Sequence, residues 1–331
     1  MGMFFPLVLS CLVATGVAFQ PEFSRYSQRS FLSLRLRRGI EKLSLSTLEA
    51  ETPRGGSRRE RIGEAAANAI AVPLLSAGLL GSPRQVRASA LPAGGKSKVV
   101  VAGATGQTGM RVVNQLRALS NVSPVAAVRD PQKGEKIFGA DVEKLKLDVV
   151  KDSPGKMAEA LKSAGADALV CAVGFSGGNP FEWSKQAHAV DNVGTVALID
   201  AAKEAGVKKF VLITSILTDG RAWGQEKSPG FQVTNAFGGV LDEKLTAEKH
   251  LKSSGLDFTI VRPAGLRGDG PSRSLVVTKE NSLNSGEVSR DTVARVCVSA
   301  LFAPSSEKKI VEIVETENVK ATPEVDWFSV A

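Results

Sequence analysis

Val99-Val-Val-Ala-Gly103-Ala-Thr-Gly106-Gln-Thr-Gly109-Met110 decides how the rest of the chain is read. Three β-branched residues lead into three glycines at three-residue spacing. Met110, Val112, Val113, Leu116 and Leu119 then repeat with a helical period. The spacing predicts a buried strand, a tight turn and a helix. Glycine serves such a turn where the backbone reverses sharply, approaches a pyrophosphate, or packs helix against strand. The helix N-terminus adds free N–H groups and the positive end of a dipole. Gly103, Thr105, Gly106, Gln107, Thr108 and Gly109 are therefore the candidate contacts to a dinucleotide cofactor.

Downstream, apolar strands alternate with helices. Strands are predicted at Pro124–Val128, Leu145–Leu147, Ala168–Val173, Lys209–Thr214, Phe258–Val261 and Lys309–Val314. Helices are predicted near Pro154–Ala164, Lys185–Ala205, Phe237–Ser253 and Arg290–Phe302. Continuous apolar strands between helices imply a parallel sheet covered on both faces. The expected fold class is α/β, a single doubly wound parallel sheet (Rossmann) domain over residues 91–331.

The 331 residues carry 42 Lys/Arg and 34 Asp/Glu, a formal charge of +8. Residues 1–90 hold 12 Lys/Arg against 6 Glu and no Asp, so the body is nearly neutral. That argues against a nucleic-acid partner. Cys171 and Cys297 lie in apolar runs and read as buried thiols.

Residues 1–18 read as a signal peptide, an apolar core ending in small residues, although no Lys or Arg precedes the core. Residues 19–90 are rich in Ser, Arg and Leu and read as transit peptide and linker. This pair, with Phe19 at the junction, resembles the two-part leaders of algae with complex plastids. Arg58-Arg59, the uncharged run Ala65–Pro83 and Ala88-Ser89-Ala90 also resemble a thylakoid-transfer signal over 58–90, but Pro73 interrupts the run. The expected location is a plastid, stromal or thylakoid-associated, with the lumen as the alternative.

About twenty residues past the glycines, an acid ordinarily binds the ribose hydroxyls of NAD. Here Arg129 takes that place, and its planar donors suit a 2′-phosphate. NADP(H) is favoured over NAD(H), with Asp130 next door as the competing ribose ligand. Asp148 is either an adenine-edge contact or the start of a turn. Val173 and Gly174, at the end of the fourth strand, complete the cofactor set. On a helical wheel Lys244 falls among Phe237, Val240, Leu241, Leu245, Ala247 and Leu251. A lysine on an apolar face is either working or paired, and Glu248 is one turn on. Arg262, before Pro263, either reaches the ligand or forms a buried salt bridge. His188 and His250 stand alone in sequence, so no metal site is expected.

Gly103–Gly109, Val190-Asp-Asn-Val-Gly-Thr195, Phe210-Val-Leu-Ile-Thr-Ser215, Lys244-Leu-Thr-Ala-Glu248 and Thr259-Ile-Val-Arg-Pro-Ala264 together resemble the atypical short-chain dehydrogenase/reductases, NmrA-like, of the plastid flavin-reductase-related type. The resemblance implies a catalytic role for Lys244 and Ser215. It also implies a tyrosine four residues before the lysine as proton donor. Val240 stands there, and the only tyrosine is Tyr26. Hydride transfer to a small apolar or redox-cofactor substrate that needs no enzyme acid fits this pattern. Aromatic residues in two loops, Trp183, Trp223, Phe231 and Phe237, suggest an apolar pocket or a partner surface. The alternative that the resemblance implies is a non-catalytic NADP(H)-binding regulator or scaffold, with a protein partner or a peripheral thylakoid or plastoglobule association.

Overall fold

The computed structural model describes residues 91, 96–268, 270, 273–317 and 319–330. The signal, transit and thylakoid-transfer readings lie outside the described residues, as does nearly all of the linker up to Lys96.

Strand β1 (Ser97–Ala102) runs through the middle of the sheet. It is flanked by β2 (Val122–Val128) and β4 (Ala168–Cys171), both parallel to it. The strand order β3-β2-β1-β4-β5-β6-β10, with β3 (Glu143–Lys146), β5 (Lys209–Ile213), β6 (Phe258–Pro263) and β10 (Lys309–Thr316), is parallel throughout. Chain direction across the sheet reverses at the β1–β4 gap, where ligands of such sheets bind beyond the carboxyl ends. Val99 and Val101 enter one apolar cluster and Val100 and Ala102 the other, so the strand is covered on both faces. Helices α1 (Gln107–Arg117) and α8 (Arg290–Phe302) cover one face. Helices α3 (Pro154–Ala164) and α5 (Thr195–Glu204) cover the other.

Local chemistry sets several boundaries. Ser153 caps α3 ahead of Pro154, and Gly165 ends it in a left-handed conformation at φ 65°. Helix α7 (Val240–Ser253) begins three residues later than Phe237, because Gly238 and Gly239 both take positive φ. The helix expected over 185–205 is three pieces: α4 (Trp183–Ala187), a π segment (His188–Gly194) and α5. Strand β4 stops at Cys171, which frees Val173 and Gly174 from the ladder. The third strand lies two residues earlier than expected at its start and stops at Lys146.

The sequence reading lacked helices α2 (Pro131–Phe138) and α6 (Pro229–Asn235), and strands β7 (Gly265–Arg267), β8 (Ser274–Lys279) and β9 (Glu287–Ser289). Strands β8 and β9 pair antiparallel with β10, so the sheet is parallel except at this end. The C-terminal segment returns along β8: Thr322 N–H donates to Leu275 O at 2.8 Å. Trp327 and Phe328 are then buried in the core.

Candidate functional site

The glycine turn has three distinct reasons for its glycines. Gly103 sits at φ +76°, and a Cβ there would lie 2.6 Å from Ala172 O. A Cβ on Gly109 would collide with Gly103 O, so helix and turn touch backbone to backbone. Gly106 is the N-cap of α1 and brings no side chain to the helix end. Gly106 and Gln107 are exposed and Thr105 and Thr108 half-buried, so the start of α1 is open at the surface. A bare cradle at a helix N-terminus fits the pyrophosphate of a dinucleotide.

At the end of β2 the two competing residues separate. Asp130 accepts hydrogen bonds from Gln132 N at 2.9 Å and Lys133 N at 3.3 Å, capping α2. Arg129 is exposed and makes no hydrogen bond or ion pair among the described residues. Asp148 starts a turn: its Oδ1 accepts from Val150 N at 3.0 Å. Of the two readings open for Asp148, the turn is the one the geometry displays.

Val173 and Gly174 follow β4 at the crevice. A Cβ on Gly174 would stand 3.6 Å from Asp191 Oδ1 and 3.7 Å from Lys244 Nζ. Lys244 Nζ donates to Asp191 Oδ1 at 2.6 Å, and Phe175 N donates to Asp191 Oδ2 at 2.9 Å. Asp191 sits on the π segment, a departure from α geometry that often marks functional sites. It was missing from the candidate residues read from sequence. The available signal was an acid on the helical stretch that carries the apolar positions Val190, Val193 and Val196.

Of the two readings left open for Lys244, a pair with Glu248 is not what the structure shows. Glu248 is held by Arg262, with Nη2 donating at 2.6 Å and Nε at 3.0 Å, and by the Thr214 hydroxyl at 2.6 Å. Arg262 also donates to Asn281 Oδ1 at 2.9 Å and approaches Glu312 at 3.4 Å. Glu312 accepts the backbone N–H groups of Asn281, Ser282 and Leu283. Arg262 is 1% exposed. The expectation that it reaches cofactor or substrate is therefore corrected to the buried ion pair. Burial alone would lower its proton affinity, but the bonds to Glu248 and the charge of Glu312 outweigh it, and the guanidinium is held above its ordinary value.

A cavity of about 750 Å³ opens at the carboxyl ends of β5 and β6. Its walls come from Thr214–Leu217, Ser228–Gly230, Pro263–Leu266 and Asn284–Gly286, with Val240, Leu241 and Lys244 from α7. Ser215 lines it, and its hydroxyl has no hydrogen bond among the described residues. Leu217, also in the wall, holds φ 66°, an uncommon conformation for a bulky residue and one that clusters at functional sites. Val240, in the place of a tyrosine, faces the same space. The aromatic loops divide. Trp183 stacks on Phe237 at 4.9 Å, with Phe175 edge-on at 6.5 Å. Phe231 is buried in the core under Arg221, and Trp223 packs against the core, so these two do not form a pocket with the others.

His188 pairs with Glu243 at 3.1 Å and His250 with Asp200 at 2.6 Å. Among the described residues, no group of three His, Cys, Asp or Glu is placed to hold a metal ion. Cys171 and Cys297 are buried and unpaired, and burial pushes the Cys171 thiol up to about 11.

The sheet order, the bare glycine turn and the cavity beside Lys244 define a dinucleotide-binding protein of the doubly wound class. Comparison with known proteins sharpens this. Residues 103–304 match the NAD(P)H-binding family, and the chain belongs to that family, in its NmrA-like, atypical short-chain branch. The chain is 44% identical over 236 residues to an uncharacterised chloroplast protein of Arabidopsis thaliana, covering 70% of this chain and 81% of that one. It is 32% identical over 158 residues to sanguinarine reductase of Eschscholzia californica, covering 46% and 55% respectively. In fold it is similar to the anaerobillin reductase ChuY of Escherichia coli O157:H7, with TM-score 0.55 and 24% identity over 68% of this chain and 100% of that chain.

Proposed function

We propose that this chain is a plastid NADPH-dependent reductase that reduces an apolar, ring-bearing or redox-cofactor substrate. The carrying observation is the position of Lys244: its Nζ stands beside Gly174 at the cofactor crevice, and the same side chain lines the 750 Å³ cavity. When bound, the dinucleotide supplies a hydride. The α1 N-terminus holds its pyrophosphate, and Arg129 takes the 2′-phosphate while Asp130 remains committed to capping α2. Lys244 orients the nicotinamide ribose through its N–H donors. Ser215 offers its free hydroxyl to the substrate. Among the described residues, no Tyr, His, Asp or Glu lines the cavity. The acceptor is therefore one that takes a hydride without a carboxyl, imidazole or phenol acid, such as a flavin or quinone.

The plastid assignment is supported by the chloroplast relative and by the composition of residues 1–90. Mass spectrometry of the native N-terminus tests it. A start near residue 91 agrees with import and processing, and an intact Met1 contradicts it.

The central test is a fluorescence titration with NADPH and NADH side by side. Loss of a charge-assisted bond to the 2′-phosphate is worth about tenfold or more. NADPH should bind at least that much tighter than NADH, and Arg129→Ala should erase the difference. Oxidation of NADPH is then measured with flavins, quinones and pigments as acceptors. Failure to bind either nucleotide overturns the reading. Val240 in the tyrosine position favours a second reading, an NADP(H)-binding regulator, and tight NADPH binding with no turnover of any acceptor would select it.

A further inference from the structure

Among the described residues, Lys244 is the one ionisable side chain that lines the cavity, yet the site is not cationic. Asp191 Oδ1 lies 2.6 Å from its Nζ, and the Asp191 side chain is fully buried while that of Lys244 is 15% exposed. The other nearby acids are spent elsewhere. Glu248, one turn along α7, is bound by Arg262 and Thr214. Glu243, the preceding residue, is bound by His188 and Asn192. Asp191 alone neutralises the lysine.

The fold invests in that placement. Gly194 closes the π segment against β3's exit, where a Cβ would come within 2.8 Å of Val149 O. The Thr195 hydroxyl ties back to Val190 O at 2.9 Å. These contacts hold the segment that carries Asp191. Its second oxygen accepts Phe175 N–H, a bond that an asparagine could also make. A buried carboxylate is costly unless it is paired, so its charge is accounted for by Lys244 rather than by Phe175.

We propose that Asp191 is the positioning and specificity-determining residue of this site. It fixes Lys244 between cofactor and substrate, and by cancelling its charge it selects an acceptor that is uncharged at its reacting end. The inference rests on the reductase reading above. An anionic acceptor meets only a dipole there, and gains no net attraction to offset its lost hydration.

The test compares a neutral naphthoquinone with its sulfonated analogue on the full chain saturated with NADP+. Binding of each is read by tryptophan fluorescence, and turnover with NADPH is read separately. Wild type should favour the neutral quinone. Asp191→Asn keeps an oxygen for Phe175 N–H and leaves Lys244 with an uncancelled positive charge. The neutral-to-anionic binding ratio should then move toward the sulfonate by about tenfold. Lys244→Met leaves Asp191 negative, and the ratio should move the opposite way. A structural role for Asp191 would weaken both ligands together and give no reversal of sign. An unchanged ratio in a folded Asp191→Asn chain overturns the proposal, and if that variant does not fold, Lys244→Met decides by the same ratio. Absence of turnover in wild type, with the binding shifts intact, fails the reductase reading and leaves the role of Asp191 standing.

Discussion

Lys244 and Glu248 stand one turn apart on α7 and belong to two different regions. The Lys244–Asp191 pair opens on the cavity, with the lysine 15% exposed. The Glu248–Arg262–Glu312 cluster is sealed, with no member's side chain above 2% exposure. The sealed cluster ties the end of β5, through Thr214, to α7, β6 and the 281–283 loop, whose continuation at Asn284–Gly286 forms the cavity rim. The open pair ties the π segment to α7 and to the loop after β4. One charged network builds the frame and the other faces the ligand. Neighbouring charges on one helix face need not serve each other.

Arg262→Met tests the frame most severely. It strands two buried carboxylates, and breaking such a cluster costs about 3–5 kcal/mol. A thermal or denaturant melt should show that loss. Lys244→Met strands one buried carboxylate where Arg262→Met strands two, so it should cost less stability, and its chief effect should be on NADPH affinity. Equal losses of stability in the two variants would break the distinction between frame and site.

Gly109→Ala places a methyl against Gly103 O, a backbone atom that cannot yield as a side chain would. Overpacking of this kind costs about 1–3 kcal/mol, and the distorted turn should also lose NADPH. A calorimetric melt and a titration read the two effects together. Asp130→Ala removes the α2 cap and should cost about 1 kcal/mol. The NADPH-to-NADH ratio should stay as it is. A changed ratio would mean that Asp130 touches the ribose after all.

The smallest effect concerns pH. Burial favours the protonated form of Glu315, but the Thr292 hydroxyl, the Ser289 N–H, Arg267 and the Ser289 hydroxyl outweigh it and hold the carboxyl below its usual 4.5. A depressed folded value means stabilisation that is complete above 4.5 and fades as pH falls toward the folded value. Melting temperature should therefore drop on the acid side, and Glu315→Gln should flatten that limb.

Much of the parallel sheet was legible because its signals are local. Val99–Val101, Ala168–Cys171 and Phe210–Ile213 are apolar runs that only a doubly covered strand can bury. The α3 and α8 boundaries were legible from Ser153-Pro154 and Ser289, whose hydroxyls cap the first turns. Strands β7 and β9 were not, since three residues carry no periodicity. The break at 188–194 was hidden too, because a π segment keeps the apolar spacing of a helix while shifting its register.

By itself the sequence determined the strand–turn–helix that would hold a dinucleotide, since glycine spacing and strand composition act over a dozen residues. Its family resemblance puts Val240 in the tyrosine position, and its order puts Arg129 directly after the second strand. Tertiary structure alone decided which acid serves which cation. Lys244 passes over Glu248, four residues away, for Asp191, 53 residues away, and Arg262 takes Glu248 from a separate strand. Ion pairs depend on distance and burial in space, and neither is written in the spacing of residues along a helix.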